Sequence, residues 1–287
     1  MALAIIGRVG HDWSMPLDRD AFDRDGFVVL PGAVPASLCA DLVGAIDERL
    51  GINASPDSWY SRPQPFLDIV AMWGHPTQWA IRQLPSLYQA WSELWGTHEL
   101  LVSLDRCRFT PPWRDGEPTP QTVHWDHDPH DRELNYIQGA VALTDTPTGH
   151  GGFRCVPGWH RHPERWPQSA TRLPSHNEWH ASALDGDIIS VPMNTGDVVL
   201  WSSRLPHSNS KNVSNAPRYA FYVQMLPYTA TLAGELSQCW ETGLCHGAWN
   251  DLPGHQHAEP WAPVALSPLG RKLVGIDSWY CISAAGE

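Results

Sequence analysis

Between residues 100 and 228 the chain switches every few residues from a short apolar or alternating run to a turn. Thr122–Asp126, Tyr136–Leu143, Phe153–Val156, Gly186–Val191, Asp197–Trp201 and Arg218–Leu226 read as strands. The stretches Asp145–Gly152, Pro157-Gly158, Asn194–Gly196 and Asn212–Pro217 supply turns between them. Gly admits positive φ and Pro fixes φ while removing a donor, so such residues punctuate strands rather than extend them. Many short strands joined by turns, with helical patterns only at the front, predict a mainly β fold with flanking helices. Its two sheets would form a barrel or jelly roll, and a parallel α/β sheet is disfavoured.

The front of the chain carries the helices. Asp18 to Asp25 is helical and stops at Gly26, and Phe27–Leu30 is a strand ended by Pro31-Gly32. Ser37 can cap a second helix, with Leu38, Leu42, Ile46 and Leu50 recurring along one face. Residues 55–66 read as a loop, and residues 76–98 as a helix that buries Trp79, Leu87, Trp91 and Leu94. Leu100–Phe109 is a strand leading to a polar, Pro-rich loop, and residues 160–185 form a long connection. The expected organisation is one domain over 1–287. It has a helical part at 18–98, a β core at about 100–228, and an irregular tail at 229–287 with a short helix near Leu269–Gly275.

Composition narrows the function classes. With 42% hydrophobic and 17% charged residues in 287, the chain has material for a sizeable core. Its net charge of −12 with scattered acids argues against a nucleic-acid partner, which needs clustered Lys and Arg. Cysteines stand at 39, 107, 155, 239, 245 and 281 without C-x-x-C spacing, so zinc-ribbon and thioredoxin-like readings are weak. Met1–Trp13 lacks the basic start and long apolar run of a signal peptide, and no stretch reaches membrane-spanning length. A reduced, cytoplasmic protein acting on a small molecule, with no membrane partner, is the expectation. The 16 tryptophans and 15 histidines are rich in wall material and in metal ligands, although most of both are structural in an ordinary core.

His124-Trp125-Asp126 is the first chemical signal. On a strand, residues two apart share a face, so His124 and Asp126 can reach one ion while Trp125 points away. A second apolar strand, Val198–Trp201, leads to His207, and a turn then opens a strand with Arg218. Two imidazoles and one carboxylate can hold Fe(II) by one face and leave three coordination positions open. A 2-oxo acid can take two of these and O₂ the third. The planar fork of Arg218 suits a carboxylate. Taken singly, His-x-Asp also fits a polar surface turn and Arg218 a surface salt bridge; their order along the chain favours a site.

With these residues in place, the chain resembles the phytanoyl-CoA dioxygenase family. The resemblance runs over roughly residues 18–228 and rests on Phe22–Gly32, His124-Trp125-Asp126, Leu143-Thr144-Asp145, Gly151–His160, Gly196-Asp197, and His207 with Arg218. It implies a double-stranded β-helix, a cupin-like jelly roll. It also implies Fe(II) held by His124, Asp126 and His207, with 2-oxoglutarate and O₂ as cosubstrates and Arg218 on the distal carboxylate. Asn209 stands where the family often has a serine near that carboxylate. Ala140 replaces a tryptophan found in some members, and Gln138 on the same strand face could supply a hydrogen bond to the cosubstrate instead. His160 is expected to hold its own turn. Halogenating relatives lack the carboxylate, so Asp126 directs the reading to hydroxylation, desaturation or ring closure with release of succinate and CO₂.

Two rivals remain open at this stage: a zinc hydrolase on the same ligands, and a β-sandwich binding module without catalysis. Arg106, Arg108 and Arg154 could meet an anionic substrate or pair with acids. The expected substrate is a small metabolite or natural-product intermediate under long loops at 55–66, 110–120 and 160–185.

Overall fold

The computed structural model describes residues 17–60, 68–115, 122–128, 130–131, 134–163, 171–172, 179–180, 188–244, 261 and 264–280. Met1–Trp13, Cys245, Cys281 and parts of all three long loops lie outside these residues. Helix α1 (Arg19–Asp25) starts where the Asp18 side chain accepts from the Ala21 N–H, and stops at Gly26, whose φ of 83° is left-handed. Strand β1 (Phe27–Leu30) follows. Helix α2 (Ala36–Leu50) starts at Pro35 with no side-chain cap, so the Ser37 cap is not used; Ser37 sits already inside the first turn. Its buried face is Cys39, Leu42 and Ile46, with Leu38 and Leu50 only half-buried.

A tight helical turn at Pro56–Tyr60 and strand β2 (Ile69–Val70) come next. The helix expected over 76–98 is two: α3 (Pro76–Arg82) and α4 (Pro85–Trp95). Pro85 lacks an N–H and drives Leu84 out of helical dihedrals (ψ 129°), so the first helix must stop and a second begins. Trp79, Leu87, Trp91 and Leu94 are all buried.

The strand expected over Leu100–Phe109 also divides, into β3 (Leu100–Val102) and β4 (Cys107–Thr110). Then come β5 (His124–Trp125), β6 (Ile137–Ala142) and β7 (Phe153–Cys155). Two short strands, β8 (Thr171–Arg172) and β9 (Trp179–His180), lie inside the expected long connection. Strands β10 (Ile189–Ser190), β11 (Val198–Ser202), β12 (His207–Asn209) and β13 (Arg218–Pro227) complete the core. The described part of the tail carries a helix beyond the one expected. Helix α5 (Ala230–Thr242) is capped by Thr229 and buries Ala233, Leu236 and Cys239, and α6 (Pro268–Leu273) is capped by Ser267.

Among the described residues, all strand pairs are antiparallel. One sheet runs β1-β11-β6-β13-β4-β2 with β3 also on β13, and the other runs β10-β7-β12-β5-β9-β8. The core strands β4, β6, β11 and β13 belong to the first sheet and β5, β7, β10 and β12 to the second, so the chain changes sheet at every step from β4 to β13 except between β7 and β10, where it stays in the second. The architecture is a double-stranded β-helix.

The two-residue side-chain period splits the first sheet into two faces. Val28, Leu30, Ile137, Val141, Val198, Leu200, Tyr219, Phe221 and Val223 join the main core with the helices. The residues between them point into the barrel. There Ala140, Ala142, Val199 and Trp201 meet Phe153 and Cys155 of the second sheet. No helix among the described residues is long and apolar enough to cross a membrane.

Candidate metal centre

Strands β5 and β12 lie side by side in the second sheet, with His124 directly opposite His207. The two imidazole centroids are 5.1 Å apart. Asp126 follows just past the end of β5 and keeps the two-residue phase, so its carboxylate faces the same side as His124. Trp125 points the other way, fully buried, with Nε1 donating to the Arg204 carbonyl. Nε2 of His124 lies 3.5 Å from Asp126 Oδ1, and Nε2 of His207 lies 3.4 Å from Oδ2. The three donor atoms all fall within 4.8 Å of one another.

The far side of each ring sets its tautomer. Nδ1 of His124 is 2.9 Å from the Thr122 carbonyl, and Nδ1 of His207 is 2.9 Å from the Leu205 carbonyl. A carbonyl only accepts, so each Nδ1 carries the proton and each Nε2 presents a lone pair to the shared space. The carboxylate is already a base there. Burial alone would raise the Asp126 carboxyl, but His207 and His124, when their rings carry positive charge, hold it well below the usual carboxylate range; a bound cation would supply that charge beside neutral rings. Two neutral imidazoles and an ionised carboxylate on one face suit a divalent cation of borderline softness.

Gln138 faces this group from β6, and its Nε2 donates to Asp126 Oδ2. The sequence reading placed Gln138 beside the cosubstrate; the structure puts its amide on the acid of the triad. Trp201, Phe153 and His207 pack against one another (Trp201 to His207 5.2 Å, Phe153 to Trp201 4.8 Å), which walls one side of the site with apolar surface. His127 is buried beside Tyr136, with ring centroids 5.4 Å apart.

Arg218 opens β13 on the interior face and is 1% exposed. Its stem passes Gly151, where a Cβ would lie 3.6 Å from Arg218 Cδ and 3.2 Å from Asn212 Cβ; the φ of 77° at Gly151 also favours glycine. Nη1 donates to Asn209 Oδ1 at 3.0 Å, so Asn209 orients the guanidinium. Among the described residues, Nε and Nη2 have no hydrogen-bond partner. Burial pushes Arg218 down to about 10, with the charge of Arg108 adding to the effect. The group therefore stays charged at neutral pH with two of its nitrogens unmet, which is the condition an anionic ligand would relieve.

The other arginines separate. Arg108 Nη2 meets Asp68 Oδ2 at 3.0 Å on the same interior face, and Arg106 meets Asp105 at 3.4 Å. Arg154 turns outward, with Nε donating to Ser208 Oγ at 2.7 Å. His160 bonds the Asp23 carbonyl through Nε2, tying its turn to α1 rather than closing the turn on itself. Tyr222 was not singled out from the sequence. The alternation 218, 220, 222 along β13 is the signal that would have found it, since it places Tyr222 on the face of Arg218.

Comparison with known proteins adds to this geometry. The sequence profile of the phytanoyl-CoA dioxygenase family matches residues 22–220. "Ava biosynthesis cluster protein O" of Aspergillus versicolor is 24% identical over 248 residues, covering 75% of this chain and 77% of that protein. The fold superposes on the epimerase SnoN, solved with Fe3+, alpha-ketoglutarate and nogalamycin RO. The TM-score is 0.57 at 19% identity, covering 86% of this chain and 93% of SnoN. GIG2 (DUF1479) of Candida albicans gives a TM-score of 0.72 at 13% identity, covering 95% of this chain and 79% of GIG2.

Proposed function

The chain belongs to the phytanoyl-CoA dioxygenase family, whose members use iron and 2-oxoglutarate, and from that premise we propose a dioxygenase that hydroxylates a C–H bond of a small metabolite or biosynthetic intermediate. His124, Asp126 and His207 would hold Fe(II), and Arg218 with Asn209 would bind the distal carboxylate of 2-oxoglutarate. The observation that carries this reading is a match of chemistry across two sheets. The second sheet presents a three-donor face with both tautomers fixed, and the first sheet presents a buried arginine with two nitrogens unpartnered among the described residues. When bound, iron and 2-oxoglutarate supply the oxidising equivalents from O₂, with succinate and CO₂ as products.

The protein's own part is geometric. The carbonyls of Thr122 and Leu205 keep both Nε2 lone pairs aimed at one point. Gln138 fixes one carboxylate oxygen of Asp126. Trp201 and Phe153 keep water away from the His207 side. The relative from a biosynthesis cluster and the structural likeness to a nogalamycin enzyme support a small-molecule substrate.

The likeness to an epimerase favours one alternative outcome, inversion at carbon in place of oxygen insertion. Product analysis separates the two, because a hydroxylated product gains one oxygen atom and an epimer gains none. The test of the reading itself comes first. Protein freed of metal is titrated with Fe(II) under argon and then with 2-oxoglutarate. A metal-to-ligand charge-transfer absorbance is expected. Its absence, with Zn(II)-dependent hydrolysis in its place, would overturn the oxygenase reading. Succinate release across a metabolite panel then identifies the substrate, and His207→Ala and Asp126→Ala should abolish it.

A further inference from the structure

The interior face of the first sheet holds a second buried arginine close to Arg218. Strands β4 and β13 are neighbours, with Arg218 opposite Thr110 and Ala220 opposite Arg108. Side-chain alternation puts Arg108, Thr110, Arg218 and Tyr222 on one face, opposite the core face of Cys107, Phe109, Tyr219 and Phe221. Arg108 and Arg218 are both buried, and the Tyr222 ring and hydroxyl stand beside both guanidiniums.

The hydrogen bonds in this cluster are one-sided. Arg108 donates through Nε to Thr110 Oγ1 and through Nη2 to Asp68 Oδ2, and Thr110 donates to the same Asp68 oxygen. Asn209 takes a bond from Arg218 and gives one to the Tyr222 oxygen at 3.3 Å. The groups facing the Tyr222 hydroxyl, namely Arg108, Arg218 and the Asn209 amide, are all donors. The Tyr222 oxygen is therefore used as an acceptor, and its own proton can turn toward a ligand. Among the described residues, two guanidiniums against one carboxylate leave one uncompensated positive charge in this cluster, together with the unmet Nε and Nη2 of Arg218. Buried charge of this kind is costly until an anion arrives.

We propose that Arg108 and Tyr222 form a second arm of the cosubstrate site. Paired with Arg218, they receive the distal carboxylate of 2-oxoglutarate, while Asp68 balances Arg108 so that the pocket is tuned to one carboxylate. This rests on the function proposed above and goes further, because it assigns the choice of a dicarboxylic 2-oxo acid over a monocarboxylic one to Arg108. The competing role for Arg108 is purely structural, a brace from β4 to Asp68 at the edge of β2.

Charge-transfer titration under argon separates the two roles without turnover. The probes are 2-oxoglutarate and 2-oxovalerate, which chelates iron through the same 2-oxo acid end and lacks the distal carboxylate. In Arg108→Gln the affinity for 2-oxoglutarate should fall about ten- to a hundredfold, the worth of a lost charge-assisted bond, with 2-oxovalerate unchanged. Arg108→Lys, which keeps the charge and loses the fork, should lie between. Asp68→Asn should keep or tighten 2-oxoglutarate binding, because it leaves the positive charge less compensated. Asn also accepts the left-handed backbone that Asp68 adopts (φ 60°), so the local fold is preserved. A Co(II) affinity equal to wild type checks that the triad is intact in each variant. Equal preference for the two acids in wild type and Arg108→Gln would overturn the proposal, as would a loss in Asp68→Asn matching that in Arg108→Gln. No absorbance with wild-type protein would instead remove the reading of function beneath it.

Discussion

Gln138 shows how much one residue's neighbour matters. Alternation along β6 puts it on the interior face with Ala140 and Ala142, and its amide binds the acid of the triad. A partner that orients a metal-binding carboxylate is typically worth ~10–100-fold in metal affinity. Gln138→Leu should therefore raise the dissociation constant for Co(II) by about that factor while leaving the anion end of the pocket untouched. A spectroscopic Co(II) titration checks this, and an unchanged constant would mean that Asp126 needs no such support. His124, Asp126 and His207 were legible in the sequence because their placement needs only a strand's two-residue period and the order of strands. The contacts of Gln138 and the closeness of Arg108 to Arg218 were not legible. They depend on which strands lie side by side, and β4 meets β13 only through pairing across more than a hundred residues of chain.

At the scale of elements, β6 and β13 are the spine of the first sheet: β6 pairs with β11 and β13, and β13 pairs with β3, β4 and β6. Gly139 sits mid-strand on the outer face, beneath α4. A Cβ there would stand 2.6 Å from Trp91 Cη2 and 2.8 Å from the Val223 carbonyl oxygen. The ring could shift, but the backbone oxygen in a sheet cannot. Gly139→Ala should cost ~1–3 kcal/mol of stability, seen as a lower denaturation midpoint in urea. Element types were readable from local pattern: the stops at Gly26 and Pro31, and the buried helix face with Trp79, Leu87 and Trp91. Boundaries were less so. The break before Pro85 follows from proline's own chemistry, whereas the gap between β3 and β4 and the ordering of α5 depend on what they pack against.

For the whole molecule, the first sheet serves two compartments with opposite needs. Its outer face and the helices form the large apolar core, in which Trp91 is fully buried and its Nε1 donates to the Ile137 carbonyl. Its inner face closes the smaller compartment, where Trp201 packs on Phe153 and His207. Removing either ring from a packed interior costs ~3–5 kcal/mol, so Trp91→Ala and Trp201→Ala should destabilise comparably. Their effects on the site should differ. Trp91 touches the triad only through the thickness of a sheet, so the folded fraction of Trp91→Ala should bind Co(II) as wild type does. Trp201→Ala removes the ring against which His207 is seated, and should weaken Co(II) binding as well as stability. Measuring both quantities well below the unfolding transition tests the division. An equal loss of Co(II) affinity in the two variants would mean that the sheet transmits disorder between compartments instead of insulating one from the other.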